Sequence, residues 1–295
     1  MRPGAVLVVG DVINDVMVRT GREATRGSDT PSAVTWRLGG QGANQAAWLG
    51  FLGAPVRFAG RAGASDGERH ASALESAGVD VRLSLDSERE TGTIVVIVER
   101  GERSMFTDRG AGAFLGESDL PVGLLDGVAH LHVSGYTLFE EPGRSAVRRL
   151  MRDASARGLG LSVDPSSVTW LREVGTAAFF DWTAGTALLF PNMDEGRSLA
   201  GEDAPGAVLD CLLAHYGEVA LKLGSGGAVC GTRSGDRVEV PAEEGPLVDT
   251  TGAGDAFAAG YLSARLRGEA MLACAHAATR ASQIVVSRLG ARPPV

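Results

Sequence analysis

Short, largely apolar runs alternate with stretches of helical periodicity along most of the chain. Ala5–Val9 and residues 56–59, 131–133, 159–163, 187–190 and 219–223 are strand-length runs of the kind found in strands buried on both faces. Residues 45–52, 67–77, 143–157, 257–266 and 271–287 carry small or apolar residues at helical spacing. Alternation of this kind predicts a parallel sheet with helices on both faces. Two segments depart from it. Residues 11–38 and 91–110 contain Val16-Met17-Val18, Val34-Thr35-Trp36 and an apolar run at 94–98, with turn residues and no helix between them. They predict a small β-sheet attached to the α/β body, placed to act as a lid.

The predicted strands end in Gly10-Asp11, Gly60-Arg61, Ser134-Gly135, Asp164, Asn192 and Gly224-Ser225-Gly226-Gly227. Small and polar residues therefore collect along one edge, where open parallel sheets bind ligands. Loops favour the same residue types without any ligand.

Composition narrows the partners. The chain has 295 residues, 44% hydrophobic and 22% charged, which is ordinary for a globular protein. The net charge of −8 and the absence of a basic run argue against nucleic acid. No apolar run approaches a membrane span and no secretory signal pattern is present, so a cytoplasmic location is expected. Cys211, Cys230 and Cys274 are far apart, which fits neither a zinc ribbon nor a disulfide framework. His130 and His132 alternate on one predicted strand without a third ligand and read as structural. Arg100, Arg103 and Arg109 lie in the second lid segment, either as a solvated edge or facing a substrate anion.

Two glycine clusters carry the chemistry. In Asp249-Thr250-Thr251-Gly252-Ala253-Gly254-Asp255-Ala256-Phe257, glycines precede a small-residue helix. Unpaired amides at such a helix start attract an anion. Asp255 in the first turn is either a helix cap or a carboxylate that accepts the proton of a substrate hydroxyl. The helix terminus by itself would lower its pKa. In Gly39-Gly40-Gln41-Gly42-Ala43-Asn44-Gln45 a second glycine turn opens a helix. It lacks the third glycine of a dinucleotide fingerprint, and no P-loop occurs. Close helix packing and a polar ligand held by Asn44 both fit it.

Together these motifs resemble the ribokinase family, the phosphofructokinase B carbohydrate kinases, over nearly the whole chain. The resemblance implies one ribokinase-like domain over 1–295, a three-layer α/β/α doubly wound sheet with the small β-sheet lid. It implies an ATP-dependent, Mg²⁺-requiring kinase acting on a hydroxymethyl group of a sugar or sugar derivative. Asp255 would be the base, and Gly252, Ala253 and Gly254 the anion hole. Asp15, Gly39, Gly40 and Asn44 match substrate-contacting positions. Asn192, Lys222, Gly224, Ser225, Gly227 and His276 match the nucleotide side. Glu195, in Asn192-Met193-Asp194-Glu195, matches a position linked to Mg²⁺ and is expected to act through water. Asp249, Thr251 and Gly290 fall where many members hold a monovalent cation such as K⁺. Relatives pair across a lid, so a homodimer through it is implied. Ribokinases proper carry Asn where this chain has Ile13, Lys where it has Gln41, and a carboxylate near Gly135, so the match is to the family rather than to ribokinase. Pro294 also departs near the cation loop. The alternatives are a nucleoside kinase, for adenosine or pseudouridine, whose base would need a wall such as Trp36, Phe106 or Phe114, and a non-catalytic sugar or nucleotide sensor.

Overall fold

The computed structural model describes residues 4–24, 26–99 and 102–294. In chain order, β1 (Ala5–Val9), β2 (Ile13–Thr20) and β3 (Ser32–Gly39) lead into α1 (Gln41–Phe51), β4 (Val56–Gly63), α2 (Gly67–Ser76) and β5 (Val79–Asp86). Next come β6 (Thr91–Glu99), β7 (Glu102–Gly110), β8 (Val128–Ser134), α3 (Gly143–Ala156), β9 (Gly160–Asp164), α4 (Val168–Val174) and α5 (Thr176–Trp182). They are followed by β10 (Leu188–Leu189), α6 (Met193–Ala200), α7 (Pro205–Leu213), β11 (Glu218–Lys222), β12 (Ala228–Thr232), β13 (Arg237–Val240), α8 (Ala253–Leu266) and α9 (Met271–Val286).

Among the described residues the strands form a nine-stranded sheet, order β13-β12-β11-β10-β9-β8-β1-β4-β5, and a four-stranded sheet, order β3-β2-β6-β7. The large sheet is parallel from β5 to β11. It is nevertheless mixed, because β12 and β13 run antiparallel at one edge. Only Arg233 to Asp236 separate those two strands, too few residues for a parallel crossover. β1 shows why a continuous apolar run marks this architecture. Val6 and Val8 pack with Trp48 of α1, Phe257 of α8 and Ala278 of α9. Leu7 and Val9 pack on the opposite face with Leu150 of α3 and Leu212 of α7.

Several boundaries move. α1 begins at Gln41 rather than 45 and α8 at Ala253 rather than 257, so both glycine clusters end inside helical first turns. β4 runs on to Gly63, because its second half pairs with β5. β5 itself was not anticipated. It is an edge strand whose polar positions Asp80, Arg82 and Ser84 break any apolar run. β12, β13 and the short helices α4 to α7 were likewise not anticipated from apolar periodicity.

In the small sheet, Trp36, Val16, Val95 and Phe106 form one cross-strand row. The next row, Arg37, Asp15, Ile94 and Thr107, lies on the opposite face. Trp36 and Phe106 are 62% and 60% exposed, so their face looks away from the body. Arg100 lies outside the described residues.

Candidate active site

Asp11, just past β1, organises the first turn of α1. Its buried carboxylate accepts the N–H groups of Gln41 (3.3 Å) and Gly42 (3.2 Å) and the Ser134 hydroxyl (3.2 Å). These satisfy donors that a helix start leaves open. Gly42 permits the approach, since a Cβ there would stand 2.5 Å from the Gly10 Cα. The close-packing role considered for this cluster is therefore real, and it does not displace the polar one. Asn44, one turn along, donates from Nδ2 to Asp255 Oδ2 at 2.9 Å. The two glycine clusters thus converge.

Gly252 caps α8 at φ 80°, a left-handed conformation that glycine adopts without strain. Ala253 N–H donates to Thr250 O at 3.2 Å, so of the three expected hole amides it is the one turned inward. The N–H groups of Gly252, Gly254 and Asp255 have no protein acceptor among the described residues. Lys222 Nζ stands 3.3 Å from where a Gly254 Cβ would be. Lys222 is not a solvated strand-end charge. It is buried, and Nζ pairs with Asp164 Oδ2 at 2.8 Å. Burial alone would lower the Lys222 pKa, but the Asp164 and Glu195 carboxylates hold it above its ordinary value. Asp255 departs from expectation. Burial pushes its pKa well above the usual carboxylate range; the Asn44 hydrogen bond opposes this, Asp164 adds to it, Lys222 opposes it and Asp11 adds to it. Desolvation outweighs the helix terminus.

A buried chain of hydrogen bonds supports Asp164 from behind. Gln45 Nε2 donates to Asp164 Oδ2 (3.3 Å), which obliges Gln45 Oε1 to accept from His132 Nε2 (3.1 Å). His132 Nδ1 then accepts from the Ser162 hydroxyl (2.7 Å), which in turn accepts from His130 Nε2 (2.7 Å). Burial holds both imidazoles neutral, down to about 3 for His132 and about 4 for His130. Every donor in the chain points toward Asp164.

Asn192, Lys222, Gly224, Ser225 and Gly227 line a cavity of about 740 Å³ that also touches Ala253 and Gly254. His276 is not among its lining residues. Thr279, on the next turn of α9, is. The Asn192 and Glu195 spacing is a capping box. Asn192 Oδ1 accepts Glu195 N–H (2.9 Å), and Glu195 Oε2 accepts Asn192 N–H (2.8 Å). Burial pushes the Glu195 carboxyl up to about 7 against the pull of Lys222. Replacing Asn192 with alanine is expected to cost about 1 kcal/mol of stability, measured by urea unfolding. Asp249 and Thr251, before α8, meet Gly290, after α9: Asp249 Oδ1 accepts the Thr251 hydroxyl (2.6 Å) and Oδ2 accepts Gly290 N–H (3.2 Å).

On the other side of Asp255, the half-buried Asp15 carboxylate lies over Gly39, where any Cβ would overlap it. Burial and the charge of Asp11 push its pKa up to about 6, against Arg292 and Arg37. Gly40 shapes the backbone at φ 95° as the residue that caps α1. A second cavity, about 700 Å³, is lined by Thr93, Arg109, Phe114, Glu140 and Trp170. Arg109 faces Glu140 at 3.6 Å and stacks over Tyr136 with 5.0 Å to the ring centroid. Of the three aromatics considered as a wall, only Phe114 lines this cavity. Gly135 admits no side chain, since its Cβ would lie 2.6 Å from Asp164 O. Composition and spacing had no signal for Arg292 or Tyr136. Asp11 and Asp164 were visible only as strand-end residues.

The model for the pfkB family carbohydrate kinases matches residues 4–295. An ATP-dependent ribose-1-phosphate kinase of Halopiger xanaduensis is 29% identical over 299 residues, 97% of this chain and 93% of its own. The crystal structure of a probable sugar kinase from Rhizobium etli has a TM-score of 0.90 at 25% identity, covering 100% of this chain and 96% of that one. That of adenosine kinase from Sinorhizobium meliloti has a TM-score of 0.90 at 24% identity, over 99% and 97% of the two chains, a likeness of fold. The chain belongs to the pfkB family of carbohydrate kinases, phosphotransferases whose acceptor is an alcohol group.

Proposed function

We propose that this chain is an ATP-dependent kinase that phosphorylates a hydroxymethyl group of a sugar or sugar derivative. The observation that carries the reading is Asp255. Its Oδ2 is held by Asn44, and it sits beside amides without protein acceptors and a buried lysine. Oδ1 is left to accept the proton of the acceptor hydroxyl. The raised affinity of Asp255 for a proton favours that transfer. The Gly252 and Gly254 amides and Lys222 offset charge on the transferring group. The cavity beside Gly254 fits a nucleotide, and the Glu195 carboxylate fits a water-mediated contact to Mg²⁺. Bound ATP would supply the phosphoryl group, and Mg²⁺ would spread its charge. The small sheet would close over the acceptor and exclude water. The exposed apolar row on its outer face supports a homodimer through the same sheet. The loop at Asp249 supports a monovalent cation. The absence, among the described residues, of any helix long and apolar enough to cross a membrane supports a cytoplasmic enzyme.

A nucleoside acceptor is the second reading, favoured by Phe114 and Trp170 in the wall of the second cavity. Coupled ADP release, with ATP and Mg²⁺ in K⁺ or Na⁺ buffer, tests both readings against sugars, sugar acids and nucleosides. Turnover on a sugar or sugar acid is expected. Turnover on nucleosides alone would move the reading to the second, and ATP binding without any turnover would leave a sensor.

A further inference from the structure

Two arginines from distant segments, Arg37 and Arg292, both act on the Asp15 carboxylate. Arg37 stands on β3 directly across from Asp15, on the same face of the small sheet. Its guanidinium reaches the C-terminal segment, where a Cβ on Gly290 would overlap Nη1. Arg292 reaches the opposite way. Its Nη2 donates to Gly39 O (3.3 Å) and its Nε to Asn44 Oδ1 (3.4 Å), both long bonds. Its Nη1 is buried with no partner at all.

Elsewhere this chain pairs partly buried arginines closely. Arg57 meets Asp80 at 2.8 Å and Arg61 meets Asp86 at 3.0 Å. Arg37 and Arg292 are exceptions, with no carboxylate at ion-pair distance. Asp15 is near enough for its charge to act on both, yet it closes an ion pair with neither. A buried donor without an acceptor is costly, and Arg292 Nη1, beside Gly39 and Asn44, is placed where a partner from outside the chain could fill it. That partner must supply acceptor oxygens. Asp11 and Asp255 stand on the same side, but no carboxylate closes on either guanidinium, so both keep N–H donors open to an outside group. A planar fork of N–H donors matches carboxylate or phosphate oxygens.

We propose that the acceptor carries an anionic oxygen group, a carboxylate or a phosphate, received by Arg37 and Arg292 while Asp15 takes a neighbouring hydroxyl. The proposal rests on the kinase reading above and names its acceptor class. The site survives loss of either guanidinium, because Trp48 Nε1 holds Ala291 O (2.8 Å) and Asp249 holds Gly290 N–H (3.2 Å) independently of both.

The test measures kcat/KM with ATP·Mg²⁺ on two neutral and anionic pairs: D-ribose with ribose 1-phosphate, and D-fructose with 2-dehydro-3-deoxygluconate. The wild-type chain is expected to favour the anionic member of one pair by about 100-fold or more, and that pair identifies carboxylate or phosphate. Arg292→Gln and Arg37→Gln are each expected to cut the ratio by about 10- to 100-fold. Arg292→Lys and Arg37→Lys, which keep the charge, should retain most of it. Turnover of neutral sugars alone, or a ratio unmoved by both glutamine variants, would overturn the proposal and leave the kinase reading standing. No ADP from any of the four acceptors would overturn the proposal, and the wider panel of sugars, sugar acids and nucleosides would then decide the kinase reading.

Discussion

Asp255→Asn is expected to lower kcat by about 10²- to 10⁴-fold while leaving ATP affinity within about threefold. Asparagine can still accept the Asn44 hydrogen bond, so geometry is kept and only the proton acceptor is lost. The same substitution should raise the melting temperature. The folded-state pKa of Asp255 lies above its unfolded value. Its contribution to stability is therefore fully present only below the unfolded pKa, and it is lost as pH rises through the folded pKa. The variant, which has no such charge, should gain more over the wild-type protein at pH 8 than at pH 5. Kinetics and thermal melts at the two pH values check both halves. A kcat near that of the wild-type protein removes Asp255 as the base.

Lys222→Met is expected to destabilise the fold by about 3–5 kcal/mol, because it strands the Asp164 carboxylate in the interior. Turnover should fall by about 100-fold as well, since Nζ leaves the space beside Gly254. The double variant Lys222→Met with Asp164→Asn separates the two effects. Removing both charges should recover much of the stability in urea unfolding and none of the turnover. Recovery of turnover would mean that Lys222 acts only by holding Asp164.

The α/β body was legible in the sequence because β1 is an unbroken apolar run covered on both faces, and β8, β9 and β11 carry shorter apolar runs with a few polar residues among them. The small sheet was legible from apolar runs without helices between them. Elements at the edges were not, because β5 and β13 alternate polar and apolar residues that fit a strand or a loop equally well. The candidate site was half legible. Glycine clusters announce backbone chemistry directly, and Asp255 sits within one. The position of Lys222 was legible, but its buried pairing depends on Asp164, 58 residues away. Arg292 is a single charge in a loop, and nothing local tells a solvated arginine from one reaching back across the sheet to Asn44. His276 lies one helical turn from Thr279, which lines the cavity, a difference that helix periodicity alone does not resolve.

The one-way run of hydrogen bonds from His130 through Ser162, His132 and Gln45 to Asp164 makes these positions a unit of inheritance. A lone change at any link leaves a donor or acceptor stranded in the interior, while a joint change to apolar residues of similar shape is nearly neutral. In descendants of this chain, laboratory-evolved or natural, residues 45, 132 and 162 should therefore be kept together or replaced together. A library that randomises one of them alone should return almost only the parent residue.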